Sequence, residues 1–512
     1  MMTPQYKEKI DTWVEEHTQQ MLEDLKTLIR IPSFRGEPAE GMPYGEMPAK
    51  AVRAMQELME KYGLRTTNYD NYCVTGDLEG EEEKTLDILA HLDVVPVSDR
   101  WTKTAPLEPL IEGNRIYGRG SSDDKGPAIA ALYAMRCINE LALGLKKGVR
   151  LICGSDEECG SGDMKYYYGK EEEALYTFSP DADYPLINIE KGRLGRSFSA
   201  QGSLAETDPD DSKRVDNCGS QTGNISKLKN NISKHKGDSS IHVRRICAGH
   251  TTNIVPGEGT LVLSCIPEEK LRPASDAAAQ ATGGTFSWEK KGDETVVTAK
   301  GCSAHASSPE LGINSITMIL ELIAGLGMEE DPGAEMLLGL RRLWPHGDVR
   351  GESLGIACRD EVSGELTMSL DILNYEVSED GSSFRISGYF DCRAPICCDD
   401  GKYAQVIRQR LKEEGFELQE GEVIGSHYVS ADSELVKKLL ESYELYFGKK
   451  GEPFAIGGGT YVHELKRGVA FGCAVPEVDN RMHGDDEFME ISMLVRSTKI
   501  MADAIMRLCG KV

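Results

Sequence analysis

The sequence predicts an α/β domain built from both ends of the chain, with an α+β domain inserted at about 192 to 396. Three observations lead there. Short apolar runs alternate with amphipathic helical stretches through the first third. Strand-like runs dominate the middle, and the α/β alternation returns from Lys402. At 512 residues the chain also exceeds one ordinary core. The expected parts are therefore 1–191 and 397–512 as one domain and 192–396 as the other.

Met1 to Arg30 carries Ile10, Trp13, Met21, Leu25 and Leu28 near helical spacing. Thr85 to Ala90 reads as a strand that delivers His91 at its end, and Gly126 to Leu143 as a helix. Val149 to Cys153 and Leu175 to Phe178 are further strands, followed by Asp156-Glu157-Glu158 and Asp181. Chemistry in open α/β sheets sits just past such strand ends. Ser203 to Gly249 is rich in Ser, Asn, Lys and Asp and reads as an exposed insertion. Strands follow at 259–265, 295–299, 366–375 and 384–390, with helices at 313–326 and 334–343 between them. Lys402 to Glu414, Asp432 to Phe447 and Met489 to Cys509 read as helices, and Val469 to Cys473 as a strand.

A formal charge of −26 argues against nucleic acid or an anionic membrane as partner. The charged amino-terminal stretch and the short apolar run 127–135 predict a cytoplasmic protein without a membrane span. The 14 cysteines are expected mainly as buried reduced thiols, and Cys392, Cys397 and Cys398 lack the paired spacing of a zinc ribbon.

Five islands carry metal-friendly residues: His91-Leu92-Asp93, Ser122-Asp123-Asp124-Lys125-Gly126, Asp156-Glu157-Glu158, Ser179-Pro180-Asp181 and Met482-His483-Gly484. Dispersed oxygen and nitrogen donors suit a catalytic centre rather than a zinc finger. Each island alone has a plain reading: a satisfied polar histidine, a solvated acidic loop, or a turn in which Asp123-Asp124 caps the following helix. Their joint occurrence is harder to ascribe to chance. If two divalent cations sit together, Asp123 could bridge them, with His91 and Asp181 completing one site and Glu158 and His483 the other. Three carboxylates and one bridging hydroxide balance the charge of such a pair. Glu157 is then the candidate general base, and Asp93 the partner that fixes the His91 tautomer.

His91-Leu92-Asp93-Val94-Val95-Pro96, Tyr117 to Pro127, and Gly154-Ser155-Asp156-Glu157-Glu158 resemble the signatures of co-catalytic dinuclear zinc exopeptidases. That group includes carboxypeptidase G, aminoacylase and succinyl-diaminopimelate desuccinylase. Ser179 to Pro185, His427-Tyr428-Val429 and Ile456 to Tyr461 resemble the peptidase V/Sapep type of dipeptidase, over nearly the whole chain. The resemblance implies a phosphorylase/hydrolase-like catalytic domain with an inserted α+β lid domain. It implies that His305 steadies the oxyanion, Asn253 lies near the substrate, and Arg393 grips the peptide carboxylate. Gly458, Gly459 and Thr460 would line the pocket. It also implies a small peptide substrate and two divalent cations per subunit, zinc first, with manganese or cobalt as alternatives. Oligomeric state is left open, a monomer being one expectation.

Two departures stand out: the segment Ser203 to Gly249, and Val462-His463 where the group often carries Ala-Arg. The expected activity is a metal-dependent dipeptidase. An N-acyl amino acid deacylase or desuccinylase using the same centre is the alternative within enzymes, and a catalytically silent binding protein the alternative outside them.

Overall fold

The computed structural model describes residues 4–204, 241–328 and 331–511. The chain divides into two units, residues 1–191 with 426–512 and residues 192–425.

The first unit is built on a nine-stranded sheet. Strand Glu82–His91 lies parallel to Lys147–Gly154 on one side and to Tyr176–Ser179 on the other. Gly468–Ala470 continues the parallel set beside Tyr176–Ser179. These strands read as continuous apolar runs because they are covered on both faces. Helix Lys125–Glu140 has Lys125 to Ile138 buried, and its core includes Ile129, Leu132 and Met135. Helices Lys7–Ile29 and Ile491–Cys509 share that core through Leu25, Leu28, Leu494 and Ile505. Helix Glu46–Lys61 belongs to the same unit, and the sheet runs on through Cys73–Leu78 to the edge strand Arg65–Tyr69.

The second unit carries an antiparallel sheet in which Thr367–Val377 and Ser383–Ala394 are its two longest strands and pair with each other. Glu294–Lys300 shows the expected alternation, with Thr295, Val297 and Ala299 inward. Helices Ser315–Leu326 and Pro332–Leu343 begin at Asn314 and Asp331, whose side chains accept two backbone N–H groups each. Within its core Phe198 stacks on Trp344 and meets Phe416 edge-on, while Phe390 lies tilted against Trp344.

Three expectations are corrected. Helix Asp400–Glu413 belongs to the second unit, whose boundary falls at 425 rather than 396, because Tyr403, Ile407 and Leu411 pack into that unit's core. Within Ser203 to Gly249, His242–Ala248 is a sheet strand paired on both sides. Residues 205–240 of that expected insertion lie outside the described residues. Finally, the thiols are not all reduced and buried: Cys358 and Cys398 are bridged, and Cys159, Cys247, Cys265, Cys302 and Cys397 are exposed. Among the described residues, no helix is long and apolar enough to cross a membrane.

Candidate metal centre

Parallel register is what assembles the centre. His91 ends its strand opposite Gly154, so the turn Asp156-Glu157-Glu158 emerges beside it. Asp181 follows the neighbouring strand Tyr176–Ser179, and Asp123 stands just ahead of helix Lys125–Glu140. Three island-bearing segments thus leave the same edge of one sheet.

Asp123 occupies the middle. One carboxylate oxygen lies 2.9 Å from His91 Nε2 and the other 2.8 Å from His483 Nε2. His91 Nε2 is also 3.6 Å from Asp181 Oδ2, and His483 Nε2 is 3.3 Å from Glu158 Oε2. Donor atoms of His91, Glu157 and Asp181 fall within 4.8 Å of one another, as do those of His91, Asp123 and Glu158. His91 Nε2 and Glu158 Oε1 are buried without a hydrogen-bond partner of good geometry. Buried donors left in this state fit cation ligands, since buried polar atoms are otherwise paired.

Protonation tells the same story. Burial alone would raise the Asp123 carboxyl, yet the His483 and His91 rings beside it hold it well below the usual range. The same contacts with Asp123 and Glu158 push His483 up to about 11. His91 also rises well above its usual value: burial opposes this, but Asp123, Asp181 and Asp93 overcome it. The carboxylates around both imidazoles favour positive charge at this position, as a cation centre needs. Burial pushes Glu158 up to about 7, with the Asp123 charge adding to it. Glu157 rises well above the carboxylate range through burial, against His91 and with Asp181 and Glu158. A carboxyl so placed has the affinity for a proton that a general base needs.

A shell of buried acids holds these ligands. His91 Nδ1 lies 3.1 Å from the Asp93 carbonyl oxygen, with the Asp93 carboxylate at 3.4 Å. That carboxylate also accepts from the backbone N–H groups of Glu157 and Glu158 at 3.2 and 3.1 Å. Sequence spacing predicts only the first of these roles for Asp93. Asp124 precedes the helix but makes no capping bond; its carboxylate accepts from His91 N–H at 2.9 Å. Glu487, wholly buried, accepts from Ser122 and Asp123 N–H and from Arg119, which in turn donates to the Gly484 carbonyl. It thereby couples the Asp123 turn to the His483 loop. Asp163 accepts from Ser155 N–H, Asp156 N–H and the Tyr461 hydroxyl, fixing the acidic turn from behind. Neither Glu487 nor Asp163 belongs to an island, and no local spacing singles them out.

The Gly458-Gly459-Thr460 loop lies in the same unit. Thr460 donates its N–H and hydroxyl to Glu190, and His463 Nδ1 approaches the same carboxylate at 2.9 Å. A Cβ added at Gly458 would meet only Ile456 Cδ1, at 3.6 Å, so nothing within the chain crowds that position.

The remaining predicted residues lie in the second unit. His305 is exposed and pairs in register with Ile254; its Nδ1 accepts from Ser307 N–H at 3.1 Å, which leaves the ring proton on Nε2. Asn253 is exposed and its carbonyl accepts from Ala306 N–H. Arg393 is 4% exposed, and Asp391 holds its guanidinium in a fork at 2.6 and 2.8 Å.

A model of the family described as peptidase family M20/M25/M40 matches residues 88–507. The Bacillus subtilis (strain 168) protein named "Putative dipeptidase YtjP" is 32% identical over 492 residues, covering 95% of this chain and 97% of its own. A Staphylococcus haemolyticus protein named "Putative dipeptidase SH1171" is 29% identical, over 98% of this chain and 99% of its own. Human carnosine dipeptidase 1 shares the fold at a TM-score of 0.57 and 14% identity, covering 99% of both chains. The dipeptidase Dug1p of Saccharomyces cerevisiae does so at 0.54 and 12%, covering 98% of both.

Proposed function

The chain belongs to peptidase family M20/M25/M40, and from that premise we propose that it is a metal-dependent dipeptidase acting on short peptides with free amino and carboxyl ends. Full-length similarity to proteins named as dipeptidases supports the substrate class. The observation that carries the chemistry is Asp123, whose two oxygens face two different imidazoles.

His91 and Asp181 would hold one divalent cation, His483 and Glu158 the other, with Asp123 between. Bound there, two such ions would supply Lewis acidity for a water and for the scissile carbonyl. Glu157 takes a proton from the attacking water and delivers it to the leaving amine as the C–N bond breaks. Asp93 keeps the His91 ring oriented and the acidic turn in place. His305 offers its Nε2–H to the developing oxyanion, and Arg393 offers its guanidinium to the peptide carboxylate. Asn253 and the Gly458-Gly459-Thr460 loop would flank the substrate. Imidazole and carboxylate donors suit zinc first, then manganese or cobalt. The acidic composition fits a cytoplasmic location.

The test uses protein reconstituted with each metal and offered dipeptides, their carboxy-terminal amides and their N-acetyl forms. Free dipeptides should be cleaved fastest. Amidation should cost about 1.5–3 kcal/mol in kcat/KM, and Arg393→Ala should erase most of that difference. Faster cleavage of acetylated or succinylated amino acids would replace this reading with a deacylase.

A further inference from the structure

The second unit holds another set of metal-friendly donors, this time sulfur. Cys358 stands just before the short hairpin Arg359–Asp360 and Gly364–Glu365, while Cys397 and Cys398 lie between strand Ser383–Ala394 and helix Asp400–Glu413. The three Sγ atoms fall within 4.8 Å of one another; Cys397 is exposed and the other two half-buried. Cys392, near them in sequence, is buried in the core instead.

The surrounding backbone is held for this arrangement. The Asp360 carboxylate accepts from the N–H groups of Val362, Ser363 and Cys397 and from the Ser363 hydroxyl. Ser363 Oγ accepts in turn from Ile396 N–H at 3.0 Å. One carboxylate therefore laces the hairpin to the cysteine turn. In a tetrahedral zinc site, Zn–S bonds of about 2.3 Å put the sulfurs about 3.8 Å apart, within the reach of these three.

We propose that Cys358, Cys397 and Cys398, once the Cys358–Cys398 bridge is reduced, bind one soft divalent cation through their three sulfurs, zinc in the first place, with the fourth position open to solvent. Reduction by a phosphine breaks the S–S bond, returns both sulfurs as thiols and leaves the phosphine as its oxide with oxygen from water. Cation binding then displaces one proton from each of the three thiols. The bound ion and the bridge are alternative fastenings of the same two loops. Nothing in this inference depends on the amide-hydrolysis reading.

The experiment takes the intact protein, reduces it with a phosphine, strips it with a chelator and titrates it with cobalt. Thiolate donors give a sulfur-to-cobalt charge-transfer absorption that imidazole and carboxylate donors do not. The band should saturate with one thiolate-bound cobalt per chain, within a total of up to three counting the two at the Asp123 centre, and vanish in Cys358→Ser and in Cys397→Ser. In the unaltered chain, zinc should slow iodoacetamide alkylation of the three thiols by about tenfold or more, read by peptide mass spectrometry, because coordinated thiolate is a poor nucleophile. This arm decides the matter even if a variant misfolds. A reduced protein without the band, a band that survives Cys358→Ser, or equal alkylation with and without zinc overturns the proposal.

Discussion

The carboxylate of Asp123 serves two imidazoles at once, so its loss should be felt on both sides of the centre. Asp123→Ala is expected to lower metal content at both positions rather than one, measured by elemental analysis after gel filtration. Retention of one full equivalent would remove Asp123 from the bridging role. Glu157 differs from its neighbour Glu158: it clusters with His91 and Asp181 but makes no close approach to His483. Glu157→Gln should therefore keep its metal and lose turnover by about 10²–10⁴-fold, since the amide cannot carry the proton. Near-normal turnover in a metal-replete variant would sink that assignment. The residue types were legible in the sequence because each island is a contiguous string. Their second partners were not: that Asp93 also holds the amides of Glu157 and Glu158 depends on two strands lying side by side.

At the scale of elements, strand ends and the turns behind them set ligand position. The turn after Lys147–Gly154 is fixed by Asp163, which accepts three hydrogen bonds at one oxygen. Asp163→Asn puts an amide donor where three donors converge, so the turn must shift. Metal affinity should fall by about 10–100-fold, as for other groups that orient ligands, and kcat at saturating metal should change far less. Chelator competition measures the first and steady-state kinetics the second; equal loss in both would make Asp163 part of the chemistry. The periodicity of Lys125–Glu140 predicted the helix, yet not the use of Asp124. Its short side chain reaches back to His91 N–H because the strand end leaves that donor otherwise unpaired.

At the scale of the molecule, the two units keep separate cores, and each has its own buried ionisable groups. Asp371 lies wholly buried in the second, and burial raises its pKa to about 8, with the Asp391 charge adding and Ser369 and Arg393 opposing. Between the ordinary carboxyl value and about 8 the folded protein keeps a proton that the unfolded chain releases. Stability should therefore fall as pH rises through that window, with a slope of up to about 1.4 kcal/mol per pH unit. Asp371→Asn should flatten the slope, seen in thermal unfolding between pH 5 and pH 8; an unchanged slope would assign the dependence elsewhere. The sequence by itself determined the α/β ends, the strand-rich middle and the five islands, because periodicity and short motifs are local properties of the chain. Only the tertiary structure decided that Glu487 closes on the Asp123 turn, that Cys358 rather than Cys392 joins Cys397 and Cys398, and that the second unit runs to 425. Those choices rest on which buried donors and apolar faces must find partners hundreds of residues away or across a core, and no local pattern encodes that pairing.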